Sequence, residues 1–205
     1  MYAGAVGCYS ADCTGLETMT IFPQPPNLED SQTIGIKKLV DPHLTFVKMG
    51  CGFSLAILIR EGLETDGATI PKEELEKSDV VNRLCKIIAK HYPDKDYKET
   101  LDYLIGTPFE MPRLLASIVH DALYGSKWKF RWLCDRVYRA ILSETDYDKV
   151  RLGIEYSGIR LVGKKNWEAV TDLERDRTRK IVSVKIVLSR NIKKIAEKIR
   201  KELGE

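Results

Sequence analysis

Three short apolar runs, Ile34–Val40, His43–Lys48 and Phe53–Arg60, follow one another in the first third of the chain and are rich in Val, Ile, Phe and Thr. Asp41-Pro42 and Gly50-Cys51-Gly52 separate them, and both are turn-forming combinations, so the pattern predicts an antiparallel meander. The segment Glu64–Pro71, which reads ETDGATIP, ends the sheet. There Gly67 permits backbone angles closed to β-branched residues, and Pro71 interrupts a ladder and holds its predecessor extended. Past Pro112 the period becomes helical. Leu115, Ile118, Val119 and Ala122 form one buried stripe, Pro112 suits a first helical turn and Gly125 a helix end. The spacing predicts a helix over about Pro112–Tyr124. A second runs from about Lys129 to Ser143 with Leu133, Val137, Ala140 and Ile141 inward. A third, about Tyr147 to Val162, buries Val150, Ile154, Ser157 and Leu161. Residues 72–104 read as an amphipathic helical insertion, interrupted at Pro93, with Leu75, Val80, Val81, Leu84, Ile87 and Ile88 on one face. The turn Gly106-Thr107-Pro108-Phe109 follows it.

The two ends differ from this core. Residues 1–33 carry small residues and the prolines Pro23, Pro25 and Pro26, and read as an irregular arm with one short strand near Met19–Phe22, a covering flap or a docking strap. In the tail, Ile181, Val184, Leu188, Ile192, Ile195, Ile199 and Leu203 step by 3, 4, 4, 3, 4 and 4, which predicts one long helix over Thr171–Leu203. The β-branched residues of Ile181–Leu188 leave a strand open there. The expected fold is α+β: a small antiparallel sheet in the N-terminal half packed on a helical bundle, with a long C-terminal helix. Its parts are an arm (1–33), a core domain (34–165, including the insertion 72–104) and a basic C-terminal helix (166–205).

Composition narrows the class without naming a function. A chain of 205 residues, 43% hydrophobic and 31% charged, suits one domain of ordinary size. It can bury roughly 70% of its unfolded surface, so its stability does not require disulfides or a structural metal. No run of 18 apolar residues exists to cross a bilayer. The net charge is +3; residues 171–205 hold 11 Lys/Arg against 6 Asp/Glu, so the basic character belongs to the tail, and nothing in it singles out nucleic acid. Cys8, Cys13, Cys51, Cys85 and Cys134 form an odd, scattered set, neither a disulfide framework nor a zinc site. Met1–Gly7 lacks the basic start of a signal peptide, and a reducing host cytoplasm is the expected place of synthesis. No GxGxxG, Walker-type loop, HExxH or GxSxG occurs.

Chemistry concentrates in three pieces: Thr65–Pro71, His120-Asp121-Ala122-Leu123-Tyr124, and Cys134-Asp135-Arg136. On the first helix Ser117, His120, Asp121 and Tyr124 share one flank beside the buried stripe. The turn from Gly125 to about Phe130 is too short for a crossover, so the second helix returns antiparallel and brings Asp135 near the level of His120. A histidine beside two carboxylates can act as a general base held in one tautomer. The same carboxylates can instead bind a divalent cation through hard oxygens, with Asp66 as a third donor. The plainer reading is a satisfied structural network. His43 and His91 are expected to have ordinary surface or packing roles, Cys134 to fill the core, Trp128 and Trp132 to cover the helical turn, and Trp167 to pack the end of the third helix.

These motifs, in this order, resemble the phage and prophage family called domain of unknown function 1353. Its pattern is matched by Thr65–Pro71, Gly106–Phe109, His120–Tyr124, Arg131 with Asp135, and Tyr156–Gly163, over about residues 40–165. The stretch 72–104 is longer than that family's usual link, and the arm and tail are additions to it. More distantly, the HDxxY helix followed by an antiparallel Asp-bearing helix is similar to the phospholipase A2 superfamily, including its viral capsid members. That resemblance implies His120 as base, Asp135 as its orienter, Tyr124 fixing the network, and Asp121 as a Ca²⁺ ligand. The glycine-rich calcium loop has only Asp66-Gly67 in its place. Two functions are therefore expected: a phage-associated, metal-assisted His/Asp hydrolase, or a non-enzymatic virion, tail or assembly protein in which the network is structural. The second reading would use 1–33 and 171–205 to dock virion proteins or a second copy, and would place the protein in the virion.

Overall fold

The computed structural model describes residues 18–19, 26–32, 35–50, 52–67, 111–145 and 147–203, together with positions 86, 89, 90, 93 and 99. Most of the expected insertion at 72–104, the turn at 106–109, His91, the four cysteines other than Cys134 and most of the arm lie outside the described residues.

The architecture is α+β, as the periodicity predicts. Strands β4 (His43–Gly50) and β5 (Phe53–Ile59) form a hairpin whose register runs from His43 opposite Ile59 to Gly50 opposite Phe53. Gly52 takes the left-handed backbone the turn requires, φ 77°. The arm contributes β1 (Thr18–Met19), paired to the outer edge of β4, and β2 (Leu28–Asp30), which joins β3 (Lys37–Leu39) and β6 (Glu64–Thr65) in a second, three-stranded sheet. The expected strand at 34–40 is thus only three residues long.

The tail settles as the strand that its β-branched residues left open, between two helices, rather than as one continuous rod. The elements are α4 (Asp172–Ile181), β7 (Val182–Leu188), a 3₁₀ turn at Ser189–Asn191, and the C-terminal helix α5 (Ile192–Leu203). All seven residues of β7 pair with β5, completing the larger sheet in the order β1-β4-β5-β7. The larger sheet is covered on both faces. Val47, Leu55, Ile57 and Ile59 join the main core with the helices, while Phe46 and Ala56 meet Ile192 and Ala196 of α5 on the other. This explains why Phe53–Ile59 is apolar almost throughout rather than alternating. It also occupies Ile192 and Ile195 of the tail's apolar stripe within the chain's own fold.

The bundle consists of α1 (Arg113–Gly125), α2 (Arg131–Ser143) and α3 (Lys149–Ala169). The helix α3 starts on Asp148, whose side chain accepts the Arg151 N–H at 2.8 Å. It runs seven residues past the predicted end, and its buried face differs from the expected one. Leu161 is 51% exposed, whereas Arg151 and Glu155 are buried. The reason is an ion pair with a third buried charge: Arg113 Nε lies 3.1 Å from Glu155 Oε1, with both side chains fully buried. Arg151 Nε lies 3.5 Å from the same oxygen, and the Tyr138 hydroxyl donates to Oε2 at 2.9 Å. Apolar periodicity cannot see a face built on paired charge. Among the described residues, no helix is long and apolar enough to cross a membrane.

Candidate active site

The α1–α2 turn makes the two helices antiparallel and delivers Asp135 to His120, as the short connection requires. His120 Nε2 lies 3.2 Å from Asp135 Oδ1. A carboxylate only accepts, so Nε2 carries the proton and donates it. Nδ1 then faces Asp121, 3.9 Å from its Oδ1. The Tyr124 hydroxyl, one helical turn beyond His120, also donates to Asp135 Oδ1, and its ring packs against the imidazole, tilted by 37° with 4.0 Å between centroids. Asp135 itself is fully buried.

Two arginines complete the shell. Arg160, on α3, donates to Asp135 Oδ2 at 2.7 Å, and Arg131 lies 3.5 Å from the same oxygen. Arg160 was not among the residues singled out from sequence. The available signal is a glycine: a Cβ on Gly163 would stand 2.6 Å from the Tyr124 hydroxyl. A glycine inside a helix is intrinsically unfavourable and marks such a close approach. Thr65 was read only as part of its motif, yet it is the link between motifs. Its hydroxyl donates to Asp121 Oδ2 while accepting the Gly67 N–H at 3.0 Å. Gly67 itself holds left-handed backbone, φ 70°, which glycine adopts at no steric cost. The TDG and HD motifs therefore meet through Thr65 and Asp121, with Asp66 exposed beside them.

The group opens on a cavity of about 420 Å³ whose wall includes Leu63, Thr65, His120, Asp121, Tyr124 and Ile159. Its carboxylates are Glu64, Asp66, Asp121 and Glu174, and no Lys or Arg is among the described residues lining it. His120 keeps 12% of its side chain exposed to this space. Burial pulls the His120 pKa down, but hydrogen bonds and charge from Asp121 and Asp135 outweigh it, and the pKa is raised. Asp135 moves the other way: burial raises it, and donors from His120, Tyr124 and Arg160 bring it below the ordinary value.

No family model, curated protein or solved structure matches this chain.

The donor set can therefore be weighed only on its own chemistry. A calcium ion takes about six to eight oxygens. Asp135 is already held by two guanidiniums and Asp121 by Thr65, and no group of three or more His, Cys, Asp or Glu side chains among the described residues is placed to hold one metal. Asp66 and Asp121 alone do not make the cage that the phospholipase resemblance implies. The remaining residues fit their expected places in part. Cys134 is buried and donates to the Trp128 carbonyl at 3.3 Å, and burial pushes its thiol up to about 12. Trp128 packs on the core, Trp167 meets Tyr124 edge-on, and Trp132 is 46% exposed, not a cover for the turn.

The two described histidines give stability an optimum in pH. His43 is 4% exposed and burial pushes its pKa down to about 3. It is neutral in the folded state, so its contribution is intact above about pH 6.5 and is lost as pH falls below that, by up to about 1.4 kcal/mol per unit. His120, raised, contributes fully below about pH 6.5 and loses that contribution as pH rises through its folded pKa. Urea unfolding at a series of pH values should show stability declining on both sides of about pH 6.5. In His120→Gln the alkaline decline should flatten; an unchanged alkaline limb would refute the assignment.

Proposed function

We propose that this cleft is a hydrolase-like acid–base site in which His120 moves the proton and Asp135, with Tyr124, holds the ring. The observation that carries the reading is the 3.2 Å pairing of His120 with the buried carboxylate of Asp135 on the wall of an open cavity. With Nε2–H committed to Asp135, Nδ1 is the nitrogen that can take a proton from water. The hydroxide so formed attacks a carbonyl carbon. The imidazolium, stabilised by Asp121 and Asp135, returns the proton to the leaving group as its bond to that carbon breaks. No step of this scheme passes through a metal. The four wall carboxylates favour a neutral or cationic ester or amide over one carrying phosphate beside the scissile bond. The motif resemblance supports a phage or prophage setting.

One observation favours a second reading. Asp135 has His120, Tyr124, Arg160 and Arg131 around it, the saturated pattern expected of a structural anchor in a virion or assembly protein. A panel of p-nitrophenyl acyl esters and p-nitroanilides separates the two. The hydrolase reading expects turnover that rises with pH above about 6.5 and falls roughly 100-fold or more in His120→Gln. Absence of turnover in the wild type across the panel, or equal rates in the variant, would leave the structural reading.

A further inference from the structure

We propose that the turn between α1 and α2, with the first two turns of α2, binds single-stranded nucleic acid. Phe130 and Trp132 are 61% and 46% exposed, an unusual position for two large aromatics on one short surface. Their rings lie within 9° of parallel with centroids 6.3 Å apart, and the Arg136 guanidinium sits 5.9 Å over the Trp132 ring. Cations interleave with the rings. Residues 126–139 hold Lys127, Lys129, Arg131, Arg136 and Arg139 and a single acid, Asp135, which is fully buried and ion-paired. The surface charge of this segment is therefore positive throughout. Arg131 is committed to Asp135 and Arg139 covers the Tyr156 ring, which leaves Lys127, Lys129 and Arg136 beside the exposed aromatics. Lys127 and Lys129 both hold left-handed backbone, φ 46° and 55°, where a glycine would be at ease. The turn thus keeps two lysines at positions that disfavour any side chain.

Stacking faces between cations are what an unpaired strand needs: bases on the rings, phosphates on the lysines, with no reading of sequence. The mutual alignment of Phe130 and Trp132 decides between this ligand and a lipid surface. Neighbouring bases are parallel to one another, so parallel rings match them, whereas insertion between headgroups places no demand on the angle between rings. A duplex hides its base faces and is expected to bind more weakly.

Fluorescence anisotropy with a labelled 15-nucleotide oligo(dT), the same sequence as a duplex, and vesicles of phosphatidylglycerol and phosphatidylcholine tests the assignment on the full chain. The expected Kd for the single strand is roughly 10⁻⁴–10⁻⁶ M at physiological salt, the range of sequence-independent binding. Phe130→Ala/Trp132→Ala should weaken it by at least about 5-fold, the lower bound for loss of one stacked base. Lys127→Gly/Lys129→Gly, which relaxes the backbone while removing charge, should reduce the slope of log K against log salt by about 1.4. All four side chains lie outside the core, and circular dichroism of each variant reports its fold. Absence of single-strand binding, affinity unchanged in the aromatic pair variant with wild-type fold, or vesicle binding in place of oligonucleotide binding would overturn the proposal.

Discussion

Glu155→Gln is expected to lower the melting temperature by roughly 10 °C, corresponding to a loss of about 3–5 kcal/mol for breaking a buried ion pair in a domain of this size. Arg113 and Glu155 are both fully buried, and Arg151 adds a second guanidinium 3.5 Å from the same carboxylate oxygen. Burial holds the Glu155 pKa above the ordinary value, although Arg113, the Tyr147 and Tyr138 hydroxyls, which both donate to its carboxylate, and Arg151 pull it down. The glutamine keeps the shape of the side chain and one acceptor for the tyrosines. It removes the charge, and Arg113 then sits in the core without the Glu155 carboxylate that it pairs with. The loss comes from that stranded guanidinium, not from the value of the pair itself. The triple variant Arg113→Met/Arg151→Met/Glu155→Leu, which replaces all three charges with apolar groups of similar volume, is therefore expected to recover at least half of the loss. Thermal melts followed by circular dichroism decide the matter. A single variant that melts with the wild type, or a triple variant no better than the single, would show that the cluster is not what holds α3 to α1.

How far the chain could be read depended on which force set each element. The hairpin β4–β5 and the helices α1 and α2 were legible to within two residues at each end, because hydrophobic period and turn residues agree there. The tail was ambiguous for a geometric reason. Val184 and Leu188 are four apart, a spacing that keeps two residues on one face of a helix and equally on one face of a strand. Spacing alone could not separate them; pairing with all seven residues of β5 did. The inward face of α3 was misread at Leu161 because its buried positions are Arg151 and Glu155, chosen by charge partners on α1. In the site, the antiparallel return of α2 was enough to bring His120, Tyr124 and Asp135 together. Asp66 was read as a third oxygen donor because it stands at the sharp turn that ends a strand, and it lines the cavity together with Asp121. The hydroxyl that reaches Asp121 is that of Thr65, which also accepts the Gly67 N–H. Arg160 left no local sign but the helical Gly163 three residues on, since its partner is 25 residues away on another helix.

Asp135→Asn is expected to change more properties of the molecule than any other substitution at the cleft. Four donors converge on this carboxylate: His120 and Tyr124 on Oδ1, Arg160 and Arg131 on Oδ2. An amide in its place offers one acceptor oxygen and no charge. The expected loss is about 3 kcal/mol, the low end for a broken buried pair, because Arg160 keeps 38% of its side chain exposed and regains water. The diagnostic consequence is at His120. Its pKa is raised only because Asp121 and Asp135 together outweigh burial. With Asp135 neutral, burial faces Asp121 alone, and the pKa must fall from its wild-type position. The stability that His120 contributes below about pH 6.5 shrinks with it, so the alkaline decline of the wild type should be reduced in Asp135→Asn. Titration of the histidine ring resonances by NMR measures the shift directly, and His43, buried elsewhere, serves as the internal control. If the site is the proposed hydrolase, the pH dependence of turnover moves to lower pH by the same amount while the maximal rate drops, since the ring loses its orienting acceptor. A His120 pKa that stays where it is in Asp135→Asn would mean that the short contact carries no charge coupling, and the acid–base reading of the cleft would go with it.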